Sequence, residues 1–129
     1  MKMNETVLFE TQDKTVTLPV QIESETVWLS LDQMADLFQR DKSTISKHIR
    51  NVFAEKELNR ESTVANFATV QMEGARRIER EIEHYNLDMI ISIGYQVKSK
   101  RGIEFRRWAN GILFSSTVRK QWMIILWSH

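Results

Sequence analysis

Between Lys42 and Arg50 the chain reads Lys-Ser-Thr-Ile-Ser-Lys-His-Ile-Arg, a stretch that mixes the two side-chain types a nucleic acid asks for. Ser43, Thr44 and Ser46 carry short hydroxyls that can reach base edges, and Lys42, Lys47 and Arg50 carry long cations. Ile45 and Ile49 are four residues apart, so on a helix they share one face and turn the polar residues to the other. Such a helix can lie in a major groove with its N-terminal residues over the bases, while its dipole and free backbone donors favour a phosphate. Base-edge contacts are therefore expected from Lys42, Ser43, Thr44 and Ser46, and phosphate contacts from Lys47 and Arg50. Arg76 and Arg77 form a second cationic pair that could reach a backbone or a minor groove. With about four to six phosphates neutralised, affinity would fall with salt at a log–log slope of about −4 to −5.

A recognition helix works only when a partner helix holds it. Leu31, Met34, Ala35 and Phe38 fall at i, i+3, i+4 and i+7, one apolar stripe two turns long. Ser30 with Gln33 three residues later is a capping box that starts this helix, and Asp41 is suited to cap the next. Two helices joined by about three residues, with the small Ala35 where their axes approach, make a helix-turn-helix. The turn position where glycine is usual carries Gln39, which would cost roughly 1 kcal/mol if the backbone there takes a positive φ.

Around this pair the pattern is that of strands. Val7 to Phe9, Val16 to Ile22 and Val27 to Leu29 are short Thr- and Val-rich runs, with turn chemistry at Gln12-Asp13-Lys14. Pro19 lacks an N–H and argues for an edge strand. Ser62 to Gln71 and Arg76 to Tyr85 read as a hairpin joined through Gly74, which would place Arg76 and Arg77 near its tip. Arg76 to His84 is also compatible with a helix, since Arg and Glu are good helix formers. Asn86 can cap an apolar helix from Leu87 to Tyr95, weakened near its end by Gly94. A further helix follows, striped by Phe105, Trp108, Ala109 and Ile112. The expected fold is α+β: a winged helix-turn-helix with small N-terminal antiparallel strands, a wing-like hairpin and a C-terminal helical segment. The expected division is 1–86 for the winged domain and 87–129 for a helical extension with an apolar tail.

Composition bounds the remaining classes. The 129 residues suit one core, and with 42% hydrophobic and 27% charged residues the chain folds as a globule. Net charge is only +1, but residues 87–129 hold seven basic against two acidic side chains, so positive charge is concentrated. There is no cysteine, and His48, His84 and His129 are widely spaced, so neither a thiolate site nor a metal site is expected. No Gly-rich phosphate loop, His-Glu-x-x-His or Gly-x-Ser-x-Gly appears, and the expectation is a protein without cofactor or catalysis. The longest apolar run, Trp122 to Trp127, is far below the ~20 residues of a membrane span, and no export signal is visible at the start. A cytoplasmic protein without membrane contact follows.

Glu83-His-Tyr-Asn-Leu-Asp-Met-Ile-Ile-Ser-Ile-Gly-Tyr-Gln-Val-Lys-Ser-Lys-Arg-Gly102 with Phe105-Arg-Arg-Trp-Ala109 resembles the virulence-associated RhuM family. The stretches Asn51 to Leu58 and Val64 to Gln71 are similar to its upstream segments, and the resemblance runs over roughly residues 20 to 113. It implies a DNA-binding protein, of a mobile or pathogenicity island or beside a restriction system, and no catalytic residues; the expected role is that of a regulator of transcription. A second reading is an adaptor or antirepressor-like interaction module on the same fold. After Leu113 the family pattern is expected to continue differently. Residues 114–129 then read either as the end of a C-terminally truncated relative or as an apolar patch for a homodimer or another protein partner.

Overall fold

A computed structural model describes residues 5–127, with side chains over residues 5–115 apart from Gln71. The order of elements is β1 (Glu5–Glu10), β2 (Thr17–Glu23), β3 (Thr26–Ser30), α1 (Leu31–Phe38), α2 (Lys42–Ala54), α3 (Arg60–Thr63), β4 (Val64–Glu73), β5 (Arg76–Asn86), α4 (Leu87–Gln96) and α5 (Arg101–Trp127). The strands form one antiparallel sheet in the order β1-β2-β3-β5-β4, so the fold is α+β. Residues Arg76 to Tyr85 are strand, and the helical option for them falls away. Ser62 belongs to the one-turn α3 instead of β4, because Asn59 accepts a hydrogen bond from the Glu61 N–H and caps a turn there.

Alternation sorts the sheet into two faces. On one, Phe9, Leu18, Val20, Val27, Leu29 and Tyr85 pack against Met34, Leu37 and Phe38 of α1, Ile45, Ile49 and Val52 of α2, and Met89, Ile90 and Ile93 of α4. Phe105 and Ala109 of α5 join the same cluster, so a single core takes in residues on both sides of Asn86. Phe9 meets Phe105 and Trp108 edge-on, each pair of ring centroids 5.1 Å apart. On the other face Trp28, Phe67 and His84 form a separate buried aromatic group, with His84 5.0 Å from Phe67 between centroids.

Local chemistry explains most of the boundaries. The Gln33 N–H donates to Ser30 Oγ at 3.2 Å and the Ser30 N–H donates to Gln33 Oε1 at 2.9 Å, a complete capping box. Asn86 Oδ1 accepts from the Met89 N–H at 3.1 Å and starts α4. Asp41 occupies the cap position of α2, but its side chain makes no cap bond, contrary to the expectation from sequence. Pro19 lies in β2, which has neighbours on both sides and is not an edge strand. It is tolerated because the β2–β3 ladder stops at Gln21, so Pro19 has a strand partner, Leu8, only in β1. On the side of β3 its carbonyl accepts from Gln33 Nε2 at 2.8 Å.

Residues 114–129 were expected to form a divergent tail. The backbone of α5 runs helically to Trp127, Phe114 is exposed, and the other apolar side chains of that tail lie outside the described residues.

Candidate functional site

The α1–α2 connection is built by backbone geometry. Gln39 adopts φ 54° and ψ 52°, the left-handed conformation. This lets the Arg40 N–H donate back to Ala35 O at 3.1 Å and the Gln39 N–H to Asp36 O at 3.4 Å, the paired bonds of a Schellman ending. The carbonyls still free at the end of α1 are met by two guanidinium groups. Arg40 donates to Phe38 O and Gln39 O at 3.1 and 3.2 Å and, across to the end of α4, to Val97 O at 3.0 Å. Arg101 donates to Leu37 O at 3.2 Å while also holding Asp13 and Thr15 in the β1–β2 turn. Those partners hold the Asp13 carboxyl well below the usual carboxylate range, the Thr11 hydroxyl bond being the largest cause and Thr15 the next. Arg40 is thus a fastener of the turn.

The α2 helix then sits on the core through Ile45, Ile49 and Val52, all buried. Lys42, Ser43, Lys47 and Arg50 are exposed, and Thr44, Ser46 and His48 are half-buried. Arg50 Nη1 donates to Ser46 Oγ at 2.8 Å, one turn back along the same face. Lys42 Nζ lies 3.3 Å from Asp32 Oδ2 of α1, and Lys47 has no ion pair among the described residues. The first N–H groups of α2, beside Lys42, receive no side-chain cap from Asp41.

Arg76 and Arg77 stand at the tip of the β4–β5 hairpin, opposite Glu73 and Met72. The two-residue connection is Gly74-Ala75, and Gly74 takes φ 63°, the positive value such a turn requires at its first central residue. β5 pairs with β3 only at His84, Tyr85 and Asn86. Residues 66–73 and 76–83 therefore pair with each other alone, as a two-stranded ribbon of roughly 25 Å reaching out from the sheet. Arg80 closes on Glu73 and Arg60 on Glu83, both at 2.6 Å, while Arg76 and Arg77 make no ion pair among the described residues. The site residues thus lie in two groups, Lys42 to Arg50 on one helix face and Arg76 with Arg77 on the ribbon tip.

Comparison with protein families bears on the second group. Residues 62–124 match the model of the Virulence protein RhuM family. This stretch of the chain is similar to the RhuM family. No curated protein and no solved structure matches the chain. The RhuM segment takes in the ribbon, α4 and most of α5, and α1 and α2 precede it. It extends past Leu113, the residue after which the sequence reading places a departure from the family.

Within the RhuM segment the structure gathers residues that sequence spacing did not connect. Tyr95, Gln96 and Lys98 at the end of α4 face His48, Asn51 and Glu55 of α2 across an open cavity. Burial pushes the His84 imidazole below its ordinary pKa of 6.5, against the bond of Nδ1 with Ile82 O at 2.8 Å. Among the described residues no three His, Asp or Glu side chains gather as a metal site, and no helix is long and apolar enough to cross a membrane.

Proposed function

We propose that this chain binds duplex DNA without reacting with it, as a cytoplasmic regulator built on a winged helix-turn-helix. In this reading α2 is the recognition helix, the β4–β5 ribbon is the wing, and residues 87–129 are a helical extension. Three features support it. The elements β3, α1, α2, the one-turn α3, β4 and β5 follow one another with strands side by side in the order β3-β5-β4, so that a helix pair and a projecting hairpin share one sheet. The turn between the helices has the left-handed residue that a tight crossing needs. The observation that carries the reading is the third: α2 buries Ile45 and Ile49 beneath it and leaves Lys42, Ser43, Lys47 and Arg50 in solvent.

Phosphate contacts are assigned to Lys47, Arg50, Arg76 and Arg77, and base contacts to Lys42, Ser43, Thr44 and Ser46. Fluorescence anisotropy with a labelled duplex, titrated across salt concentrations, tests the assignment. Four neutralised phosphates give a log–log slope of about −4. Lys47→Ala is expected to weaken all sequences alike, and Ser43→Ala to alter preference at one base pair by about 1–3 kcal/mol. An affinity that does not change with salt refutes DNA binding, and equal effects of both changes on every sequence remove the base-reading role.

A further inference from the structure

A groove runs along the outside of the α4–α5 pair, within the RhuM segment. The helices meet there almost backbone to backbone, since a Cβ placed on Gly94 would lie 3.3 Å from Gly102 Cα. Ile91, Tyr95 and Ile103 give the groove apolar walls, and Lys98, Lys100 and Arg106 also line it. Tyr95 is 85% exposed and Ile103 48%, whereas Met89, Ile90, Ile93 and Phe105 of the same two helices are buried. The fold gains nothing from leaving these two in water. No Asp or Glu lines the groove, and none of its three cations has an ion pair among the described residues.

We infer that this groove seats an acidic segment of a protein partner: one apolar side chain enters between Ile91, Tyr95 and Ile103, and flanking carboxylates meet Lys98, Lys100 and Arg106. Charge complementarity sets the sign of the partner, because three unpaired cations around one apolar slot repel a basic segment and leave a neutral one without ionic partners. The hydrocarbon walls set its class. A phosphodiester backbone takes up cations and N–H donors but has nothing to place against Ile91 and Ile103, whereas an aliphatic or aromatic side chain gains by leaving water there. None of the residues assigned to DNA lines this groove, so the inference stands apart from the DNA reading.

The test is selection of binders from a phage-displayed library of random peptides on the full chain, followed by anisotropy with the enriched peptides. Enriched sequences are expected to combine Asp or Glu with a Leu, Ile, Phe or Trp. Ile103→Asp and the double variant Lys98→Glu with Arg106→Glu should each weaken them by about tenfold. All three positions are at the surface of the groove, and an unchanged melting temperature verifies that the variants fold. A failure to enrich, enrichment without acidic residues, or binders indifferent to both variants overturns the inference. Displacement of the peptide by duplex DNA that survives Lys47→Ala also overturns it, because the groove would then hold nucleic acid.

Discussion

Replacing Gln39 by glycine should stabilise the protein, although glycine inside a helix ordinarily does the opposite. Gln39 sits at φ 54°, and Lys56 and Lys98 take φ 57° and 54° at the ends of α2 and α4. All three helices close in the same way. The Lys56 N–H donates to Phe53 O and the Glu57 N–H to Val52 O, while the Lys98 N–H donates to Tyr95 O and the Ser99 N–H to Gly94 O. An L-residue in this conformation costs about 1–2 kcal/mol through its Cβ. Glycine removes that cost but gives back roughly 0.4–1 kcal/mol of unfolded-state entropy. Lys56→Gly should therefore gain about 0.5–1 kcal/mol. Gln39→Gly also loses the bond from Nε2 to Asp36 O at 2.6 Å, an exposed interaction of about 0.5 kcal/mol, so its gain is smaller. Gln39→Ala keeps the Cβ and loses the bond, and should destabilise by about 0.5 kcal/mol. The two glycine changes share no partner and should add, raising the melting temperature by about 3–6 °C in calorimetry. If Gln39→Gly and Lys56→Gly instead each cost about 1 kcal/mol, as in ordinary helical backbone, the left-handed endings do not exist.

Gly94→Ala should destabilise by about 1–2 kcal/mol in urea titration, since its Cβ would come within 3.1 Å of the Phe38 ring, whereas Gly111→Ala, with nothing within 4 Å, should gain up to about 1 kcal/mol. Arg101→Met strips bonds from Leu37 O, Asp13 and Thr15 and should cost about 1–3 kcal/mol while leaving DNA affinity unchanged; equal losses in both would place Arg101 at the DNA surface. Stability should also fall as pH drops below 6.5. Above that pH His84 is neutral in both states, and below it the unfolded chain takes up a proton that the buried imidazole refuses until its own lower pKa is passed. His84→Gln should flatten the urea-midpoint profile between pH 6.5 and 5, and an unaltered profile would remove His84 as its source.

Much of this architecture was legible because its signals are local. The capping box at Ser30 and Gln33, the four-residue spacing of Ile45 and Ile49, the Gly74 turn and the Asn86 cap each act within a few residues, and each stands where the spacing predicts. The misread features depend on distant partners. Pro19 suggested an edge because nothing nearby reveals that the β2–β3 ladder stops at Gln21 and leaves its missing donor without consequence. Gly94 looked like a weak point of α4, and only the crossing with Gly102 gives its lack of a side chain a purpose. No glycine marks the three helix endings, so only Gln39, at the turn of the helix pair, could be suspected of a positive φ, and the left-handed residues at 56 and 98 carried no sequence signal. Nothing in the sequence marked Arg40 and Arg101 as fasteners, because Val97 O and Asp13, which they reach across the fold, lie 57 and 88 residues away. For the residues proposed to bind DNA, sequence supplied the types and the helix supplied the common face of Lys42 to Arg50. The projection of Arg76 and Arg77 follows from how little of β5 pairs with β3.

The division of cations into fasteners and free charges makes the salt slope a sharper measurement than a test of binding alone. Arginine dominates the fasteners because its planar fork can serve several acceptors at once, as Arg40 does for three carbonyls. Lys42, Arg60 and Arg80 are exposed but already paired with Asp32, Glu83 and Glu73. A cation that leaves a carboxylate to meet a phosphate exchanges one anion for another and leaves the carboxylate to recruit a cation from solution. Such a residue adds little to the net release of ions, whereas Lys47, Arg50, Arg76 and Arg77 contribute in full. If α2 and the ribbon hold the duplex, the slope should stay near −4, where full contributions from all seven would give about −6. Asp32→Asn with Glu73→Gln should then steepen it towards that value by freeing Lys42 and Arg80. A slope that ignores these two changes would show that neither cation reaches the duplex, and would confine the contact surface to the unpaired set.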